Sequence, residues 1–412
     1  MQTNLASWVR NTEIGKEADE ILRRCVHCGF CLATCPTYQV LGDERDSPRG
    51  RIYLIKEVLE GATPTTATQR HLDRCLTCRN CETTCPSGVQ YGKLIDIGRK
   101  VVDERVQRPL GERMQRTALR KLVTSSVFKP ALEAGRAVRP LLPETLKAKV
   151  PVRRGAGQLP SSTQTYSRHV LMLAGCVQPA MIPAIDAATM RVLAALGVGT
   201  KIVAESGCCG AVNFHLDAQE AALDQMRANI DAWYPYIESG QAEAIVMNAS
   251  GCGAMVREYG HYLRHDPRYA EKAAKISEKV MDIAEFIAPH TTELRNKMGP
   301  LPARPAFHPP CTLQHWQKLR TQTERVLSEL GFQLQPFNEA HLCCGAAGTY
   351  SVTQPELSRT LRDRKLDAIG NARPDTIVSS NIGCITHLQS GTDTPVRHWI
   401  EVVDQALTPS VP

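Results

Sequence analysis

Cys25-Val-His-Cys28-Gly-Phe-Cys31-Leu-Ala-Thr-Cys35-Pro36 returns fifty residues later as Cys75-Leu-Thr-Cys78-Arg-Asn-Cys81-Glu-Thr-Thr-Cys85-Pro86. Thiolates are soft ligands that select iron, zinc or copper over hard cations. Three of them at three-residue intervals let a short loop curl around a cube of iron and sulfide. The loop's backbone N–H groups then point at the sulfides, and such hydrogen bonds tune the potential at which the cube takes an electron. A pair of structural zinc sites is the plain alternative, since C-x-x-C pairs also hold zinc. Zinc, however, gives no reason for a third cysteine three residues on, a fourth four later and a proline next, all written twice. A disulfide framework fits no better.

The spacing is that of two-cluster bacterial ferredoxins, in which the cysteine before the proline reaches across to the other cluster. One 4Fe-4S cluster is therefore expected on Cys25, Cys28, Cys31 and Cys85, and a second on Cys75, Cys78, Cys81 and Cys35. Two adjacent clusters make an electron wire. His27 lies within the first loop, but the thiolates already complete the site, so it is expected to be solvated or supporting. Between the runs, Ile52, Ile55 and Leu59 mark one face of a helix that ends at Gly61, with Pro48 at an early position where proline is tolerated. Arg49 and Arg51 lie either near the anionic cluster cores or on the surface at that helix start.

A second duplication fills the rest of the chain. Cys176, Cys208, Cys209 and Gly210 match Cys311, Cys343, Cys344 and Gly345 at a constant offset of 135, and Gly251-Cys252 matches Gly383-Cys384 at 132. Leu193, Leu196 and Gly197 match Leu327, Leu330 and Gly331, so two homologous half-domains are the simplest reading. Adjacent cysteines are awkward ligands for an ordinary cubane and suit an irregular cluster, a zinc site or redox-active thiols. Buried free cysteine is the bland alternative. Repetition of Cys176, Cys208, Cys209, Cys252, Cys311, Cys343, Cys344 and Cys384 favours a metal or redox role in at least one half. Among the nearby histidines, His215, His261, His308, His315 and His387, the last is the best candidate, three residues after Cys384.

The elements that position these cysteines alternate. Residues 169–174 read as a strand, 184–196 as a helix, 200–204 as a strand, 220–237 as a helix and 244–247 as a strand, which favours parallel pairing. The cysteines then fall at the ligand-binding edge of an open α/β sheet. Glycine beside each double cysteine would let backbone approach a bound group. The fold class is α+β multidomain: a helical two-cluster domain at 1–104, a basic amphipathic connection at 105–165, and cysteine-rich halves at 166–300 and 301–412.

Sixteen cysteines in 412 residues, grouped as ligands, suit metal binding in a reducing compartment better than disulfides. Residues 1–20 are polar, without a signal-peptide core, and no run approaches the roughly 18 apolar residues of a membrane span. Residues 105–154 carry thirteen basic side chains against three acidic ones, a net of +10 that exceeds the +7 of the whole chain. Leu110, Met114, Leu119, Leu122, Val123, Val127, Phe128, Leu132, Val138, Leu141 and Leu142 run through it, broken by Pro109, Pro130, Pro140, Pro143 and Pro151. Such a stretch lies on an anionic membrane, docks on an acidic partner, or is a solvated connection. Nucleic acid is disfavoured because no aromatic platform interleaves the charges. The expected location is cytoplasmic, peripheral on the inner face of the inner membrane.

The twin cysteine runs, the Ser47-Pro-Arg-Gly-Arg-Ile52 helix start and the paired Cys-Cys-Gly segments resemble the iron–sulfur subunits of membrane-associated respiratory dehydrogenases. That group includes anaerobic glycerol-3-phosphate dehydrogenase, lactate-utilisation proteins and heterodisulfide reductase. Cys85-Pro-Ser-Gly88, Ala249-Ser-Gly-Cys-Gly253, His341-Leu-Cys-Cys-Gly345 and Val396-Arg-His-Trp-Ile400 look most like the glycolate oxidase (glycolate dehydrogenase) iron–sulfur subunits within it. The resemblance covers the whole chain. It implies a complex with FAD-binding subunits that oxidise glycolate to glyoxylate and also D-lactate, with electrons passing through two clusters to a respiratory acceptor such as quinone. Relatives often end each half with a C-x-x-C pair, whereas this chain has Cys252-Gly-Ala-Met255 and Cys384-Ile-Thr-His387. A fifth thiolate per half is absent, so their unusual cluster is not carried over.

No G-x-G-x-x-G follows a strand, and no nucleophile elbow or P-loop is present. Hydride chemistry needs a flavin or nicotinamide, so the substrate site is expected on a partner chain. Two other classes stay open: an electron-transfer subunit of another dehydrogenase or a thiol/disulfide reductase, and a non-enzymatic zinc-binding regulator. Colour and low-temperature EPR of anaerobically purified protein separate the second from electron transfer.

Overall fold

The computed structural model describes residues 1–141, 143, 147, 150, 152–160 and 165–407. Leu142, Glu144, Lys149 and Pro151 of the basic connection lie outside them. The chain forms two compact units. Residues 1–117 and 341–365 make one, and residues 118–340 and 366–412 the other.

The first unit is helical. Helix α1 (Glu13–Arg24) starts where the Thr12 hydroxyl accepts the Gly15 N–H, and it buries Ala18, Ile21 and Leu22. Helix α2 (Pro48–Leu59) opens with Pro48 at its first position and the Ser47 hydroxyl accepting the Gly50 N–H at 3.0 Å. Its face of Ile52, Ile55, Val58 and Leu59 is buried, at about 1.5–3 kcal/mol for each large side chain removed from water. Helix α3 (Thr66–Asp73) begins with a reciprocal Thr65–Thr68 capping box. Helix α4 (Tyr91–Asp103) crosses α2 closely. A Cβ on Gly98 would stand 2.5 Å from Ile55 Cγ1, so only glycine lets the helices meet there.

The basic connection is less free than its charge implies. In the first unit, Arg108 Nε donates to Asp103 at 2.6 Å and its NH2 to Asp73 at 3.1 Å, and Arg116 pairs with the same Asp73 at 3.2 Å. Both arginines are buried. Arg154 pairs with Glu401 at 3.0 Å in the second unit. The apolar residues of α5 (Leu110–Val123) and α6 (Phe128–Ala137) stay largely outward, with Leu110, Met114, Leu122 and Val127 exposed. No described helix is long and apolar enough to cross a membrane.

The second unit holds two parallel sheets. In the first, β1 (Arg168–Met172) pairs with β2 (Val198–Ile202) over five residues from Arg168↔Val198, and on its other side with β3 (Ile245–Met247). Next, β4 (Val280–Asp282) pairs with β3. The order is β2-β1-β3-β4. Helices α7 (Ala184–Ala195) and α8 (Gln219–Glu238) connect these strands, and α9 (Ser250–Arg257) follows β3. The second sheet runs β5 (Pro305–Phe307), β6 (Thr376–Ser379) and β7 (Val396–His398). After β6 comes α10 (Ile382–Gln389), and α11 (Trp399–Leu407) follows β7.

The second sheet lacks a counterpart of β2 among the described residues. The equivalent stretch offers one backbone bond, Gln335 N–H to Pro305 O at 2.9 Å. Pro336 follows it and has no N–H to extend a ladder.

Candidate cluster sites and cysteine-rich halves

Both cysteine loops of the first unit are forced into left-handed turns. His27 and Gly29 have φ of 57° and 85°, and their counterparts Thr77 and Arg79 have 49° and 56°. The turns aim N–H groups inward: the Thr77 N–H points at Cys75 Sγ, 3.3 Å away. Cys25, Cys28, Cys31 and Cys85 line one cavity of about 440 Å³, continuous with solvent. Cys35, Cys75, Cys78 and Cys81 line another of about 290 Å³. Cys81, Pro48 and Tyr91 face both and form the shared wall. With Cys81 shared, five thiols line the first space and four the second, a donor set suited to iron or zinc and unsuited to a hard cation.

The surroundings of the two cavities differ. The first has exposed Cys28, with Val26 and Phe30 at its mouth. Arg49 is the arginine in its wall, bonded to Glu44 at 2.8 Å. His27 lies in the same wall, where burial lowers its pKa. The second cavity is backed by Arg51, only 1% exposed. Arg51 donates to His71 O at 2.7 Å, to Thr37 Oγ1 at 3.2 Å and to Asp46 at 3.3 Å. Thr37 Oγ1 in turn lies 3.3 Å from Cys35 Sγ. The Tyr91 hydroxyl points at Cys75 Sγ, 3.6 Å away. Arg74 binds Asp46 at 2.9 Å, and Arg99 donates to Cys75 O at 2.7 Å. Arg79, also buried, lines the cavity itself.

Of the two arginines at the helix start, Arg51 is therefore buried behind a cavity while Arg49 stays partly exposed. Thr37, Asp46, His71, Arg74, Arg79, Tyr91 and Arg99 were not legible as site residues. One signal was available: Arg79 stands in the left-handed position that Gly29 takes in the first run.

The loop with the second double cysteine also belongs to this unit. The Asn80 amide donates to Thr34 O and to His341 O, each at 3.1 Å, and the Tyr350 hydroxyl donates to Arg74 O at 3.0 Å. Cys343 and Cys344 are buried there, with the Gly345 N–H directed at Cys343 Sγ, 3.4 Å away.

In the second unit each cysteine follows a strand end, as expected for the edge of a parallel sheet. Cys176 comes after β1, Cys208 and Cys209 after β2, and Cys252 lies in the first turn of α9. The Sγ atoms of Cys176 and Cys208 stand 3.5 Å apart, and the Cys209 thiol interacts with both Cys208 and Cys252. Hydrogen bonding from Cys176, together with the Gly210 and Val212 N–H groups, lowers the pKa of Cys208. A buried clamp fixes this loop: Asn229 accepts the Gly207 N–H at 2.8 Å and donates to Cys208 O at 2.9 Å, and the Tyr259 hydroxyl donates to Cys209 O at 2.9 Å. Gly210 and Gly345 both have positive φ, 94° and 88°. A Cβ at either glycine would meet a packed helix, at Ala222 O or Ser358 O.

In the second half of this unit, Cys311 directly precedes a π turn at Thr312–Trp316, and Cys384 sits in α10 with the Asn381 amide 3.6 Å from its Sγ. His308 and His315 are buried, His387 is half-buried one turn after Cys384, and His215 packs edge-on to Trp316. His261 stacks edge-on with Tyr262.

Comparison with known proteins gives these cysteines a family. Residues 21–89 match the 4Fe-4S dicluster domain, and residues 170–257 and again 305–389 match the cysteine-rich domain. The glycolate oxidase iron-sulfur subunit of Escherichia coli (strain K12) is 54% identical over 408 residues, 99% of either chain. A probable glycolate oxidase iron-sulfur subunit of Bacillus subtilis (strain 168) is 30% identical over 90% of this chain and 89% of its own. Lactate utilization protein A of Geobacillus thermodenitrificans (strain NG80-2) is 29% identical over 53% of this chain and 90% of its own. Full-length identity at the first of these levels, with a dicluster domain ahead of a duplicated cysteine-rich domain, places the chain in the family of glycolate oxidase iron–sulfur subunits.

Proposed function

We propose that this chain carries electrons within a glycolate-oxidising complex. One 4Fe-4S cluster is assigned to Cys25, Cys28, Cys31 and Cys85, the other to Cys75, Cys78, Cys81 and Cys35. The observation that carries the reading is that each sulfur-lined cavity draws cysteines from both runs: Cys25, Cys28 and Cys31 meet Cys85 and the shared Cys81 in the first, and Cys75, Cys78 and Cys81 meet Cys35 in the second. A cluster bound in each cavity supplies a site for one electron at a time. The protein's part is to hold the sites adjacent: Cys35 and Cys85 tie the loops together, while Cys81, Pro48 and Tyr91 form the wall between them. Glycolate oxidation to glyoxylate, and that of D-lactate, is placed on FAD-binding partner subunits, as the name of the Escherichia coli relative supports. The duplications divide the working parts at 1–104, 105–165, 166–300 and 301–412, with the loop at 341–365 lent to the cluster unit.

In the reconstituted complex, Cys78→Ser should abolish flavin-to-acceptor electron flow while glycolate still reduces the flavin. Unchanged dye-linked turnover would overturn the assignment. Convergent Cys176, Cys208, Cys209 and Cys252 support a further metal or redox site, which metal analysis tests. Iron at or below eight per chain with no zinc would leave these four as thiols.

The acceptor is a respiratory component such as quinone, and the chain meets the membrane surface through residues 105–154. Exposed Leu110, Met114, Leu122 and Val127 beside exposed Arg113, Lys121 and Lys129 support this. The intact complex should sediment with anionic vesicles at low salt and leave them at high salt. Absence of binding at low salt would refute it.

A further inference from the structure

Burying an anionic cluster makes its reduction harder, because an added electron increases a charge that low dielectric penalises. The cavity of Cys35, Cys75, Cys78 and Cys81 meets that problem more severely than its neighbour: all four of these cysteines are buried, whereas Cys28 is exposed and Cys31 and Cys85 are half-buried. The chain answers with positive charge and hydrogen-bond donors. Arg51 is held behind the cavity by Asp46, His71 O and Thr37, with 1% of its surface in water to screen it. Asp46 offsets one positive charge but faces two arginines, Arg51 and Arg74. The Tyr91 hydroxyl is directed at Cys75 Sγ, and a donor to a ligand sulfur favours the more negative, reduced state.

We infer that Arg51 and Tyr91 hold up the reduction potential of the cluster bound by Cys35, Cys75, Cys78 and Cys81, keeping a buried site reducible from its more exposed neighbour. Arg51 acts through its charge. Tyr91 acts directly on a ligand sulfur. The inference rests on the ligand assignment above.

The test is an EPR-monitored redox titration of the whole chain, with iron counted for each variant. Arg51→Gln should shift the reduced-to-oxidised ratio of this cluster at least tenfold toward oxidised at a fixed potential, a fall of 59 mV for a one-electron couple. The other cluster's midpoint should stay in place, and Arg51→Lys should restore most of the loss. Tyr91→Phe keeps the ring and removes only the hydroxyl, so it should lower the same midpoint by a smaller amount. If Arg51→Gln fails to assemble, Tyr91→Phe decides the matter. Full iron content with an unmoved midpoint overturns the inference. Cys78→Ser and Cys28→Ser identify the two signals: if Arg51→Gln shifts the signal lost in Cys28→Ser, the ligand assignment fails instead.

Discussion

Cys28 is exposed between Val26 and Phe30, which are 67% and 61% exposed, whereas its counterpart Cys78 is buried between Leu76 and the side chain of Arg79. Both loops turn through the left-handed region at the same positions. Cysteine spacing therefore shapes the two loops alike, and the residues around them make the sites unlike. One site has an open mouth at Cys28, and the other is lined by Arg51 and Arg79. Duplication supplies two cysteine loops, while divergence of the shell gives them different surroundings.

The largest effect tests whether the pairs cross. Cys85→Ser should remove the same EPR signal as Cys28→Ser, and Cys35→Ser the same signal as Cys78→Ser, each with loss of about half of the cluster iron, one of two cubanes. If each serine instead removes the signal of its own run, the cavities are not built by exchange and the contrast between them must be redrawn.

The spacing made the dicluster domain legible because a cluster's geometry is imposed locally, over a dozen residues. The α2 face was legible for the same reason: Ile52, Ile55 and Leu59 repeat with the helix period, and all three are buried. What lay beyond local pattern was which arginine turns inward. Arg49 and Arg51 are two residues apart and chemically alike, yet only Arg51 falls on the side of α2 that meets Asp46 and His71. That choice belongs to tertiary packing. The same holds for β2, which begins at Val198, two residues before its expected start, because register with β1 from Arg168 sets its ends. It holds again for 341–365, which belongs to the second cysteine-rich half in sequence but falls in the compact unit of residues 1–117.

The second duplication diverges in charge at one equivalent position. Asp282 and His398 each end a strand and cap the next helix. Asp282 accepts the Ala284 N–H at 2.9 Å, and His398 Nδ1 accepts the Ile400 N–H at 3.1 Å. Glu285 and Glu401 return the bond to the cap's own N–H, each at 2.8 Å. Burial raises the pKa of Asp282 to about 7, with Glu285 adding to the rise and Arg257 opposing it. Burial lowers that of His398 to about 3, helped by Arg154. Between about pH 4 and 7 the folded chain holds a proton on Asp282 that the unfolded chain has released, so this group's stabilisation is lost as pH rises. Between about pH 3 and 6.5 the unfolded chain protonates His398 and the folded chain does not, so that group's stabilisation is lost as pH falls. The slopes oppose one another where they overlap, each at most about 1.4 kcal/mol per pH unit. Asp282→Asn should make thermal stability climb more steeply with pH from 4 to 6.5, and His398→Gln should make it decline. Parallel profiles for both variants would mean that the two caps do not titrate as a pair.

The smallest effect returns to the cysteine loops. Gly29 has φ of 85°, and a Cβ there would meet only the movable end of Arg49, at 2.9 Å from NH1. Gly29→Ala therefore costs mainly the left-handed penalty, about 1 kcal/mol. Arg79 already bears that penalty at φ 56° and also packs its side chain against Gly92, where a Cβ would come within 2.1 Å of Arg79 Nε. Arg79→Ala loses the side chain and keeps the strain, whereas Arg79→Gly loses the side chain and relieves it. The difference between those two variants should equal the cost of Gly29→Ala to within about 0.5 kcal/mol, the usual limit of additivity. Denaturant unfolding of the three variants measures both quantities. Agreement would place the divergence of the two loops in their side chains, and disagreement would place part of it in the backbone.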